Sequence, residues 1–229
     1  MRPIRTARSA VAVLSVLTAL LSPAVAHAAA AERHAAPGDS VTLPVRDALA
    51  ALPVQTENRT GYERTKFKHW TDADHDSCNT RMEVLKAEAV TAPVQGPNCV
   101  LSGGSWYSPY DDRYLDSASK LDVDHLVPLA EAWDSGASQW AAKERELYAN
   151  DLDDARDLIA VSAASNRSKA DKDPSEWLPP YAGYRCQYDT DWIADKTRWG
   201  LSIDATERDA LTQQLADCPD QPITVTLVR

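Results

Sequence analysis

Four cysteines, Cys78, Cys99, Cys186 and Cys218, follow an N-terminus built for export, so any fold open to this chain must bring thiols together in pairs. The export signal is read from Arg2, Arg5 and Arg8 ahead of the apolar run AVAVLSVLTALL, then Pro23 and the small residues AVAHAAA. That run is short and contains Ser and Thr, which disfavours a membrane span and predicts cleavage after Ala28. The mature chain is expected to be secreted, free of the membrane and monomeric. Four cysteines allow three pairings, and sequence does not choose among them. The local pairing, Cys78 with Cys99 and Cys186 with Cys218, is the expectation because each bond staples one segment, for about 3 kcal/mol each by loop-closure reasoning. A zinc site is the rival, but no CxxC pair supports it.

Roughly 200 residues remain after cleavage, enough for one domain with a real core. Residues 29–56, rich in Ala and Pro, read as a linker with a short helix around Arg46 to Leu52, and residues 57–229 as the domain. Loss of residues 1–28 removes three arginines and no acids, moving the formal charge from −10 to −13. Such acidity argues against indiscriminate binding to polyanions, whose strength comes from Lys and Arg displacing counterions. It leaves room for a nucleic-acid enzyme whose site charge comes from a metal.

The stretch GYERTKFKHW interleaves aromatics with Arg64, Lys66 and Lys68. Two readings stand: a nucleic-acid groove, or Tyr62, Phe67 and Trp70 as core beneath a solvated cationic face. Helices are expected over residues 79–90, 129–135 and 139–148, then in AASNRSKADKDPSEW up to Pro174. Two more follow, the first ended by Gly200 and the second capped by Asp204. LDVDH, residues 121–125, and DLIAVS, residues 157–162, read as strands.

Two strands and a helix can bring Asp124, His125, Asn166 and Lys169 to one point. Asp124 and the Asn166 amide oxygen are hard donors that suit one divalent ion keeping several waters, Mg²⁺ first and Mn²⁺ as the alternative. His125 points to the other side of its strand and is free to act as a general base, with a backbone carbonyl on its second nitrogen to fix the tautomer. Lys169, three residues after Asn166, shares its helix face and is expected to contact phosphate. The bland readings are a core His125 satisfied by Asp124 and ordinary surface cations at Arg167 and Lys169.

The runs DVDHLVPL, YAND and LIAVSAASNRSKADKDPSEWLPP resemble the HNH, or ββα-metal, endonucleases. They are most similar to exported HNH proteins related to the C-terminal domain of GmrSD-type restriction enzymes. The resemblance implies an α+β fold, a ββα-metal core embedded in a mostly helical single domain with two disulfides. It also implies an endonuclease acting on nucleic acid, DNA ahead of RNA. His125 matches the general base, Asp124 the metal-binding acid and Asn150 the middle Asn that orders a loop through backbone hydrogen bonds. Asn166 matches the last position, where many relatives carry His, which disfavours tight zinc binding. Lys169 matches a cation often seen after that ligand. Asn150 followed by Asp151 is also an ordinary turn pair.

In DADHDSCNTRME, Asp72, Asp74, Asp76 and Glu83 occupy the first, third, fifth and twelfth places of an EF-hand-type loop, so a structural Ca²⁺ is a further expectation. The sixth place, normally Gly, is Ser77. The rival is helix capping through Thr80 and Glu83. Two functional alternatives follow: a non-catalytic calcium-stabilised extracellular module, or a ribonuclease or toxin-like effector on the same scaffold.

Overall fold

The alternation in LDVDH decides the centre of the molecule. A strand's side chains alternate between faces, so Leu121, Val123 and His125 lie on one side and Asp122 and Asp124 on the other. In the computed structural model, which describes residues 35–229, this strand is one of nine. In chain order the strands and helices are β1 (Ser40–Pro44), α1 (Val45–Ala51), α2 (Thr80–Ala87), β2 (Ala89–Thr91), β3 (Val94–Gln95), β4 (Leu101–Ser102), β5 (Ser105–Ser108), β6 (Arg113–Leu115), β7 (Leu121–His125), α3 (Leu129–Asp134), α4 (Ala142–Tyr148), β8 (Leu158–Ser162), α5 (Ala163–Lys169), α6 (Arg185–Trp199), α7 (Ala205–Leu215) and β9 (Pro222–Thr226). The result is a mixed α+β domain. The export signal read at residues 1–28, with its cleavage at Ala28, lies outside the described residues. No helix among the described residues is long and apolar enough to cross a membrane.

β7 and β8 pair antiparallel, with Asp122 opposite Val161, Asp124 opposite Ile159 and His125 opposite Leu158. Leu121, Val123, Leu158 and Ala160 pack with Val84, Leu85, Trp106 and Leu115 in one apolar cluster. A larger, aromatic-rich cluster joins Phe67, Trp133, Trp140, Tyr148, Trp192 and Trp199 to the helices. Burial of this kind, worth about 25 cal/mol per Å² of apolar surface, leaves the acidic face of β7 turned toward α5. Ser162 caps α5 by accepting from the Ser165 amide at 3.2 Å. Asn166 and Lys169 lie on the face of α5 that meets β7, each bonding one of its aspartates.

Both disulfides are the local ones, Cys78–Cys99 and Cys186–Cys218. The first ties the start of α2 to the turn between β3 and β4. The second ties α6 to the end of α7. Gly200, at φ +60°, ends α6, and Asp204 caps α7 through the Glu207 amide at 2.7 Å. Asn79, rather than Thr80, caps α2 by accepting from the Met82 amide.

The N-terminal boundary differs from the expectation. The short helix expected around Arg46 to Leu52 is α1, which buries Val45, Ala48 and Leu49 in the larger cluster, but the residues before it are not linker: β1 pairs with β9 in five-residue register. The domain therefore extends over residues 35–229 as one compact unit. Strand partners almost two hundred residues apart leave no local pattern to read, and the prolines at 37, 44 and 53 mask the element.

Candidate active site

The pair Asp124-His125 ends β7, and adjacency on a strand sends the two side chains in opposite directions. Asp124 turns toward α5. Its Oδ2 accepts from Lys169 Nζ at 2.5 Å and from the Tyr110 hydroxyl at 2.7 Å. Burial raises the Asp124 carboxyl, opposed by the adjacent ammonium of Lys169 and by these hydrogen bonds. Its Oδ1 has no hydrogen-bond partner among the described residues, yet it is not sealed from solvent.

His125 turns the other way. Its Nε2 lies 3.0 Å from the Ala149 carbonyl oxygen. A carbonyl only accepts, so Nε2 carries the proton and Nδ1 the lone pair. Burial pushes the ring down to about 3, so it is neutral above the acid range. Trp70 packs on the ring with centroids 5.2 Å apart, and His69 approaches edge-on at 6.4 Å. Nδ1 has no protein partner among the described residues and is not sealed away.

Asn150 holds the segment that supplies the Ala149 carbonyl. Its amide donates to the Lys68 and Glu146 carbonyls at 2.8 and 2.7 Å and accepts from the Thr71 amide and the Thr80 hydroxyl at 2.9 and 2.8 Å. All four bonds of a carboxamide are thus used on three separate segments. Asn150 lies outside the cavity that His125 enters, so it acts on His125 through position.

That cavity, about 470 Å³ and open to solvent, is lined by Asp124, His125 and Asn166, with Tyr62, Arg64 and Arg167 at its walls. The structure thus brings together three of the residues expected there. Lys169 departs from the expectation: it is 0% exposed, bonded to Asp124 and to the His125 carbonyl at 2.9 Å, with its ammonium 5.9 Å from the Trp192 ring centre. Helical spacing gives its face but not its depth, and α6 covers it. Its ammonium is spent on Asp124 and on the His125 carbonyl.

One residue that the sequence reading passed over is Asp122. Its Oδ2 accepts from Asn166 Nδ2 at 3.3 Å and lies 3.4 Å from Arg167 Nε. The bond assigns the Asn166 amide nitrogen to Asp122 and leaves the amide oxygen for the cavity. The signal was present in DVDH, because residues two apart on a strand share a face. Tyr110, which steadies Asp124, carried no local signal.

The donor set facing the cavity is one carboxylate oxygen of Asp124 and one amide oxygen of Asn166. It fits a small hard cation that keeps most of its water better than it fits zinc, for which the cavity lining offers no thiolate and at most one imidazole nitrogen, Nδ1 of His125. Among the described residues, no group of three His, Cys, Asp or Glu side chains at metal spacing includes Asp124 or His125.

The acidic loop forms a second group. Carboxylate oxygens of Asp72, Asp74 and Asp76 lie within 4.8 Å of one another, and Glu83 lies within that distance of Asp76. Ser77 takes φ +77°, the turn a Gly would make, and its amide donates to Asp72 Oδ2 at 3.1 Å. Glu83 also pairs with Lys86 at 3.2 Å.

A mixed α+β domain with a histidine and oxygen donors meeting at a strand-helix junction is one expected of a nuclease-type protein. The family model for the C-terminal domain of GmrSD restriction endonucleases matches residues 79–214, and the chain belongs to that family. It is also similar to a protein named uncharacterized secreted protein from Arthroderma benhamiae, 38% identical over 208 residues, covering 90% of this chain and 97% of that one. No solved structure matches.

Proposed function

We propose that the protein is a secreted endonuclease that hydrolyses phosphodiester bonds of DNA, with β7, β8 and α5 as its ββα-metal core. The carrying observation is the neutral His125, tied through Nε2 to Ala149 and presenting Nδ1 to a cavity shared with Asp124 and Asn166. The family supports the reading by its description, which names restriction endonucleases. The relative named as secreted and the two disulfides support export.

In this reading Nδ1 of His125 takes a proton from the attacking water, a contribution typically of about 10²–10⁴-fold. A ring held at low basicity is a weak base; an approaching phosphate anion raises it. Asn150 keeps the ring aimed by fixing the Ala149 carbonyl. Oxygens of Asp124 and Asn166 would hold one Mg²⁺ or Mn²⁺, which when bound supplies charge stabilisation to the phosphate and the leaving oxygen. Lys169 and Asp122 orient these two donors. Because Lys169 and Arg167 offset the nearby carboxylates, metal affinity is modest. We assign the acidic loop a structural Ca²⁺, supported by the converging aspartates and the Ser77 turn.

The test is digestion of duplex DNA, single-stranded DNA and RNA by the purified mature chain after EDTA, with Mg²⁺, Mn²⁺, Ca²⁺ or Zn²⁺ restored singly. Duplex cleavage restored by Mg²⁺ or Mn²⁺ is expected, and Ca²⁺ should raise the melting temperature without supporting cleavage. No cleavage with any ion would remove the enzyme reading. Cleavage of RNA alone would favour the ribonuclease alternative.

A further inference from the structure

Burial of Lys169 leaves the anchoring of substrate phosphate without its expected residue. The cations lining the cavity are Arg64, from the turn Arg64–Lys66, and Arg167, from α5. Their surroundings differ. Arg167 lies 3.4 Å from Asp122, and the cavity carboxylates Asp124 and Asp171 are paired with Lys169 and Arg59, each at 2.5 Å. Among the described residues Arg64 has no carboxylate within ion-pair distance, although the neighbouring Glu63 pairs with Lys66 at 3.9 Å across the same turn. Arg59 is shared between Asp171 and Asp134, also at 2.5 Å, so among the cations lining the cavity Arg64 is the one with no acid at ion-pair distance.

Arg64 and His125 line the same cavity. Tyr62 shares the cavity wall with Arg64. A guanidinium has a planar fork of donors that matches two phosphate oxygens at once. In a chain of formal charge −13 after export, an arginine free of acid partners beside the candidate base is where a polyanion gains a charge contact at the cavity itself.

We propose that Arg64 is a substrate-contacting residue that binds a backbone phosphate next to the bond held at His125. The proposal rests on the phosphodiesterase reading of this cavity. It assigns the phosphate contact to the segment between Tyr62 and Trp70, so the groove and core readings of GYERTKFKHW both apply: Phe67 is buried in the core while Arg64 faces the cavity.

The test separates binding from cleavage. In EDTA, where cleavage is silent, the mature chain is titrated into a fluorescein-labelled DNA duplex and anisotropy is followed at several salt concentrations. Arg64→Ala should weaken binding at least about tenfold and reduce the slope of log K against log salt by about 0.9. Arg64→Lys should keep the slope and recover part of the affinity. Lys120→Ala, a control at an exposed lysine outside the cavity that pairs with Asp116, should leave both unchanged. Wild-type affinity and slope in Arg64→Ala, or no duplex binding by the wild type at low salt, would overturn the proposal. A parallel Mg²⁺ arm tells the two readings apart. Arg64-dependent binding with no cleavage removes the hydrolytic reading and keeps the anchor. Cleavage that Arg64→Ala retains with unchanged KM removes the anchor and keeps the hydrolytic reading.

Discussion

Two lysines are fully buried among the described residues, and they are held in opposite ways. Lys196, on α6, donates to Glu131 at 2.8 Å, Glu207 at 2.7 Å, Ser135 at 3.0 Å and the Ser202 carbonyl at 3.0 Å. Two carboxylates face one ammonium, and their attraction outweighs burial and holds its pKa well above the usual lysine range. Lys169, on α5, has one carboxylate and one carbonyl, and there burial outweighs the attraction of Asp124 and pulls the ammonium below its usual range. The Lys196 centre is closed: its groups spend their bonds on one another. The Lys169 centre is left open on purpose of geometry, because Asp124 keeps one oxygen toward the cavity. A buried charge that is only partly satisfied by the fold marks the side on which a ligand completes it.

The sharpest way to break this contrast is to remove each ammonium in turn. Lys196→Met strands two buried carboxylates and should cost about 3–5 kcal/mol in urea unfolding, with specific activity per folded molecule nearly unchanged. Lys169→Met strands one carboxylate that reaches solvent and can take a proton, so its cost should be smaller, about 1–3 kcal/mol. Its larger effect should be on turnover, since Asp124 loses its orienting partner. Equal stability losses, or activity lost in the first variant and kept in the second, would contradict the comparison.

A smaller effect sharpens it through pH. Asp189 on α6 is fully buried with neither carboxyl oxygen bonded among the described residues, and burial pushes it up to about 7. Between about pH 4 and 7 the folded state therefore holds a proton that the unfolded chain has lost, and stability falls as pH rises by up to about 1.4 kcal/mol per unit from this group. His125, lowered to about 3, works in the reverse sense. Between pH 3 and 6.5 the unfolded chain holds the extra proton, so that contribution rises with pH. Asp189→Asn should make the downward slope above pH 4 shallower by up to about 1.4 kcal/mol per unit in a denaturant series, the remainder coming from Glu88, Asp191 and Glu207, which burial also raises. An unchanged pH profile would rule out Asp189 as a source of that slope.

The same division explains what the sequence made legible. Strand β7 was readable because apolar and polar residues alternate and β8 because LIAVS is a short apolar run, and the opposed directions of Asp124 and His125 follow from the period of two. The site's remaining parts depend on depth and on distant partners. Spacing put Lys169 on the face of Asn166 but could not report that Trp192 and α6 cover it. Asp122 was legible in principle, two residues before Asp124, yet its meaning required Asn166 opposite. Arg64 was noticed only as part of a basic run, because an unpaired cation is defined by the absence of acids brought in from elsewhere. The pairing of β1 with β9 was hidden for the same reason.

The account turns on His125, and the most direct measurement is cleavage of duplex DNA in Mg²⁺ by purified His125→Ala beside the wild type, with melting curves of both. Among the described residues the ring's single polar bond is to Ala149, so the variant should remain folded. Its turnover should fall by about 10²–10⁴-fold. A folded His125→Ala that cleaves at the wild-type rate would contradict the central claim.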